Sequence, residues 1–154
     1  MVKIATQSGD GAIAFAQESV VITCTNALAK GDVVTLTLSG GKFTACTKSA
    51  TGDVTPDHIH GVASDDVAEG AKGRIVLRGV VEAACETGVD APSTAVVSGA
   101  NPGRLDAQGT NPGNTPLTYE KVVGIALGTT DAAGDLTSVL FGGINGFSSP
   151  PINE

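Results

Sequence analysis

The sequence predicts an all-β protein: a compact antiparallel β-barrel or sandwich built from two similar halves, with extended N- and C-terminal segments. Three observations lead there. The first is the apolar supply, in which hydrophobic residues make up 41% of the chain and aromatic ones only 3%, with no Trp and a single Tyr at Tyr119. Val, Ile, Leu and Ala must fill the core, and β-branched side chains, stiff at χ1, pack better on a pleated surface than on a helix. The second is punctuation, because 21 glycines and 7 prolines in 154 residues cut the chain into short runs joined by turns. The third is the alternation of apolar and polar residues in several of those runs, which gives each strand one apolar face. A single domain of this length buries roughly two thirds of the surface its unfolded chain exposes, so a true core is within reach.

In chain order, residues 1–19 read as an N-terminal arm or first strand, mixing Val2, Ile4, Ile13 and Phe15 with Gly and polar residues at no clear period. Val20, Ile22 and Cys24 then alternate with Val21, Thr23 and Thr25, the pattern of a half-buried strand, and Lys30-Gly31-Asp32 supplies a turn. Next come VVTLTL and FTACT, separated by Ser39-Gly40-Gly41-Lys42. A Gly-Gly pair accommodates the positive φ angles of a two-residue hairpin, in a register that sets Leu38 against Phe43 and Leu36 against Ala45. A polar stretch follows, and then a long strand in which Ile75, Leu77, Val81 and Ala83 oppose Arg74, Arg78 and Glu82, bent at Gly79. Asn101-Pro102-Gly103 and Asn111-Pro112-Gly113 mark turns. KVVGIAL and TSVLFGG close a β domain of residues 20–145, and residues 146–154 form an extended tail whose Pro150-Pro151 excludes helix and central strand. Short helical turns are predicted only near Asp65–Glu69 and Thr129–Ala133.

The two halves of that domain resemble each other. Gly61-Val62-Ala63 matches Gly124-Ile125-Ala126 at an offset of about 63, and Ile75, Val76, Leu77 and Gly79 fall opposite Val139, Leu140, Phe141 and Gly143. Gly41-Lys42-Phe43-Thr44-Ala45 runs parallel to Gly103-Arg104-Leu105-Asp106-Ala107. Half-units of about 30–79 and 92–143 follow, each leaving an apolar sheet face that the other covers.

The residues that carry chemistry are few. A net charge of -7, with nine scattered Lys and Arg, argues against a grip on nucleic acid, and no apolar run is long enough for a membrane span or a secretory signal. These features predict a soluble protein made in a cytoplasm. Cys24, Cys46 and Cys85 show no CxxC spacing and read as small buried thiols rather than a metal or nucleophile site. His58 and His60 share a strand face and, with Asp53 or Asp57, form the beginnings of a metal site. Without a third strong ligand at fixed spacing, they read better as an exposed strand edge or polar interface pair. Asp65, Asp66 and Glu69 read as a solvated turn or the start of a short helix. No hydrolase or nucleotide motif is present, and the scarcity of aromatic rings argues against stacking platforms for sugars or single-stranded nucleic acid. The expectation is a non-enzymatic protein without catalytic residues, cofactor or metal.

Lys30-Gly31-Asp32-Val33-Val34, Gly61-Val62-Ala63 with Gly70, Gly73, Arg74, Val76 and Gly79, and Asn101-Pro102-Gly103-Arg104-Leu105 together resemble the capsid decoration (cement) proteins of tailed bacteriophages. Val123-Gly124-Ile125-Ala126-Leu127 and Gly134-Asp135 leading to Val139-Leu140-Phe141-Gly142 extend the resemblance, which covers roughly residues 30–143. It implies a structural virion protein on the outer surface of the capsid. Such a protein binds the major capsid protein as a homotrimer, stabilises its lattice, and touches neither nucleic acid nor membrane. The chain departs from shorter members in its stretch from Ala107 to Thr118 and in its Pro-containing tail. The arm residues Val2, Ile4, Ile13 and Phe15 are the expected capsid-binding side chains, docking by strand addition to a capsid sheet edge. The alternative is a host-surface or carbohydrate-binding fibre or adhesin domain of a virion.

Overall fold

The computed structural model describes residues 17–50, 59–98, 100–108, 121–142 and 147–148. These residues form ten strands and no helix: β1 (Glu18–Cys24), β2 (Val33–Ser39), β3 (Lys42–Lys48), β4 (His60–Ala63), β5 (Lys72–Ala84), β6 (Ser93–Val97), β7 (Leu105–Ala107), β8 (Lys121–Ala126), β9 (Leu136–Gly142) and β10 (Phe147–Ser148). The fold is all-β, as the composition predicts.

The first five strands close on themselves. β1 runs parallel to β3, β3 pairs with β2, β2 with β4, β4 with β5, and β5 returns antiparallel to β1. The thirteen-residue β5 is long enough to serve twice. Residues as far as Arg78 pair with β1, and from Arg78 onward the strand pairs with β9. The change of partner falls at Gly79, where φ is +116°, backbone that a side chain at Cβ disfavours. The bend expected there is a hinge between two rings. Beyond it the order β9, β8, β6, β7 repeats β5, β4, β2, β3, and β7 comes back to the end of β5 through a parallel Cys85–Leu105 bridge. β10 pairs with β8 beyond the end of β9.

The core records the same duplication. Inside the first ring lie Ile22, Cys24, Leu28, Val34, Leu36, Cys46, Ala63, Val67, Ile75 and Leu77. At the matching strand positions the second ring holds Ala83, Cys85, Val89, Ala95, Val97, Leu105, Ala126, Thr130, Val139 and Phe141. Val33, Val62 and Val76 belong to the second cluster although their strands build the first ring, so they pack the rings together. Strands β2, β4 and β5 therefore carry consecutive apolar residues, because both faces are covered there. The linkers repeat too. Leu28 and Val67 exchange N–H···O bonds of 2.8 and 2.9 Å, and Thr130 N donates to Val89 O at 2.9 Å. Ala29 N donates to Asp32 Oδ2, and Ala132 N to Asp135 Oδ2, both at 2.9 Å. The turn at Asn101-Pro102-Gly103 docks on the first ring, with Gly103 O accepting from Val33 N and Gly103 N donating to Ser49 Oγ.

Three local expectations need correction. Gly40 and Gly41, at φ +58° and +74°, make the predicted two-residue turn and Leu38 does face Phe43. A bulge at Thr37/Leu38, however, shifts the ladder so that Leu36 faces Cys46 and Thr37 faces Ala45. In the repeat, Leu105 occupies the place of Cys46 rather than of Phe43, since Leu36 pairs with Cys46 and Val97 with Leu105, making the second hairpin two residues shorter. The segments near Asp65–Glu69 and Thr129–Ala133 are bends and turns, held by the linker bonds to Leu28 and Val89 instead of by helical ones.

Candidate interaction surface

Val2, Ile4, Ile13 and Phe15 lie outside the described residues, as do His58, Asp53, Asp57 and the second Asn-Pro-Gly turn. Gln17, the first of the described residues, donates from Nε2 to Val80 O at 2.6 Å. That bond sets the entry of the chain beside the hinge in β5, at the rim of a shallow cleft of about 300 Å³. Val80, Glu82, Lys30 and Ser138 line the cleft. Lys30 and Glu82 form an ion pair across it, and Glu82, through its hydrogen bond and its charge, raises the pKa of the exposed Lys30. A paired, solvent-screened Lys and Glu form a polar patch, not an acid–base couple around a substrate.

Next to the cleft the outer face of the second ring carries an apolar row. Val80, Leu140 and Ile125 stand in one row across β5, β9 and β8. Leu127 and Leu136 extend the face, and Ile125, Leu127 and Leu136 are all more than two fifths exposed. They point outward because Val139, Phe141 and Ala126, alternating with them, fill the core.

The buried polar groups hold loops. Glu86 accepts hydrogen bonds from Ser98 Oγ at 2.6 Å, Asn101 Nδ2 at 2.9 Å and Arg104 Nη1 at 3.3 Å. Burial by itself would raise its carboxyl, but those three bonds and the Arg104 charge outweigh burial and hold it below its ordinary value. Thr130, standing where the first ring has Val67, donates its hydroxyl to Glu86 O at 2.6 Å and accepts from Val89 N at 3.2 Å. The Asp65 and Asp66 carboxylates accept from Ser64 Oγ and from Lys30 N, and so fasten a linker. His60 is not at an exposed edge: it is fully buried on β4, whose two faces are covered by the two rings. All three cysteines are free and buried, the packing role their neighbours predicted. Among the described residues no three His, Cys, Asp or Glu side chains gather as a metal site, and no helix is long and apolar enough to cross a membrane. Sequence reasoning missed Glu86 and Thr130, whose partners come from residues 12 to 44 positions away.

The arrangement defines an all-β protein of two fused rings, with exposed apolar side chains on the outer face of the second and a polar cleft beside Gln17. No protein-family model and no curated protein matches the chain. Among solved structures it is similar to the crystal structure of the head fiber gp8.5 N base in bacteriophage phi29, with a TM-score of 0.53 and 15% sequence identity. The match covers 81% of this chain and 93% of that one, and what it shows is a shared fold.

Proposed function

We propose that this protein is a structural, non-enzymatic component of a bacteriophage head, a decoration protein that binds the outer surface of the capsid and stabilises the lattice of its major capsid protein. The observation that carries the reading is the fold shared with a head fiber base along most of both chains. The resemblance of residues 30–143 to capsid cement proteins points to the same place on a virion. Two rings that share β5 and are packed together through Val33, Val62 and Val76 present a preformed surface, and preorganisation lowers the entropy lost on docking. A protein that binds an expanded lattice stabilises it by mass action, and many copies multiply a modest free energy per site.

In this reading the protein acts as a homotrimer, and the N-terminal arm with Val2, Ile4, Ile13 and Phe15 adds a strand to a capsid sheet edge. Because that neighbour is part of a head fiber, a second reading is favoured over other rivals: a base that seats a host-directed fibre or adhesin on the head. Co-sedimentation with expanded heads, and with unexpanded procapsids as control, tests the proposal. Saturable binding to expanded heads and a raised temperature of head disruption are expected. Deleting residues 1–16, which spares the Gln17–Val80 bond, is expected to abolish binding and leave the melting temperature unchanged. Absence of binding to either particle would overturn the capsid assignment and make a glycan screen the next experiment.

A further inference from the structure

Cys24 on β1 and Cys46 on β3 are register partners in the parallel seam of the first ring, with sulfurs 3.2 Å apart and neither side chain exposed. The Cys46 thiol donates to Cys24 Sγ, and the Cys24 thiol to Ile22 O at 3.7 Å. Packing does not call for two sulfurs here. At the matching seam of the second ring Cys85 faces Leu105, so an aliphatic side chain serves where Cys46 stands. The seam is also short, since β1 is in register with β3 over two residue pairs and with β5 over six.

We propose that Cys24 and Cys46 are an oxidation site: they form a disulfide that staples β1 to β3 when the folded protein passes from a reducing to an oxidising environment. Register partners on neighbouring strands have Cα atoms about 4.8 Å apart, inside the range that a disulfide spans, and the sulfurs need only close to about 2.05 Å. The oxidant is a low-molecular-weight disulfide such as oxidised glutathione. One protein thiolate attacks it and releases one small thiol; the second thiolate attacks the mixed disulfide and releases the other. The two protein thiols give up two electrons and two protons, one S–S bond forms, and the small disulfide becomes two thiols. Burial, reinforced by Cys24, pushes the Cys46 thiol up to about 12, so both thiolate supply and access wait on opening of the seam. Oxidation is therefore slow in the native protein, and the bond, once made, is equally shielded from reductants.

The test uses reduced, purified protein carrying Cys85→Ser, incubated with oxidised glutathione and then fully denatured for thiol counting and peptide mass mapping. The expected result is loss of two thiols and two hydrogen masses, and a single cross-linked pair of peptides containing Cys24 and Cys46. The unfolding midpoint is expected to rise by roughly 10 °C, because the bond closes a loop between residues 22 positions apart. Persistence of both thiols, or glutathione retained on one cysteine, would overturn the proposal. If Cys85→Ser fails to fold, the same peptide map on the unaltered chain gives the answer. The measurement needs no capsid, so its outcome is independent of the head-binding reading.

Discussion

Gly124, the first residue of the repeated Gly-[Val/Ile]-Ala signature in the second ring, lies close against the backbone of β9. A Cβ added there would overlap the Leu140 carbonyl oxygen and stand 3.0 Å from its carbon and 3.2 Å from Phe141 Cα. All three atoms are backbone, so no rotamer relieves the overlap. The Leu140 oxygen is the nearest of the three, and restoring ordinary contacts of about 3.5–4.0 Å to it requires β9 to retreat by more than about 1 Å, which stretches the ladder that pairs Gly124, Ile125 and Ala126 with Phe141, Leu140 and Val139. Overpacking of this kind costs about 1–3 kcal/mol, and each weakened backbone bond adds about 0.5–1.5 kcal/mol. Gly124→Ala is therefore expected to destabilise the protein by about 3 kcal/mol, a large part of a typical folding stability. Urea denaturation followed by circular dichroism measures it, with a fall in midpoint of roughly 2 M at unchanged slope. Gly142→Ala, whose Cβ meets nothing within 4 Å, is the control and is expected to stay within about 0.5 kcal/mol of the parent. Equal stability of the two variants would refute the close-approach argument.

Other expectations follow from the core and its polar groups. Phe141→Ala removes the largest fully buried side chain among the described residues and is expected to cost about 3–5 kcal/mol in the same denaturation assay. Glu86→Gln tests the loop anchor. Its folded carboxyl lies below the unfolded value of 4.5, so its stabilisation is fully present above that pH and is lost as pH falls through the lower folded value. Melting temperatures across that acid range are expected to fall more steeply in the parent than in the variant, which starts about 1–3 kcal/mol less stable at neutral pH. Burial, with the Asp106 and Glu86 charges, pushes the Cys85 thiol up to about 12. Maleimide at neutral pH is thus expected to leave it unlabelled in the folded protein and to label it in denaturant; rapid native labelling would contradict the buried position.

Much of this architecture is legible along the chain because its signals are local. Alternation at Val20, Ile22 and Cys24, the Gly40-Gly41 turn and the bend at Gly79 each depend on the covalent geometry of a few residues. The likeness of Gly61-Val62-Ala63 to Gly124-Ile125-Ala126 survives because both segments meet the same demand, a glycine whose Cβ would strike the neighbouring strand and small residues facing the core. The hairpin register was not legible, since a bulge at Thr37/Leu38 moves every later pair by one and has no sequence mark of its own. His60 was misread for a different reason. Period-2 reasoning assigns one wet face to each strand, and β4 has none.

Side-chain stiffness, glycine placement and the two-residue repeat of a strand are enough to give the β class, most of the strands, the turns between them and the duplicated pattern from local residues alone. Folding in three dimensions was needed to show that β5 belongs to two rings at once and that β1 closes the first ring beside β3. It also decided that Glu86 meets Ser98, Asn101 and Arg104, and that Cys24 lies against Cys46. Those are closures between residues far apart in the chain, and their free energy comes from burying surfaces that exist only after the strands have paired.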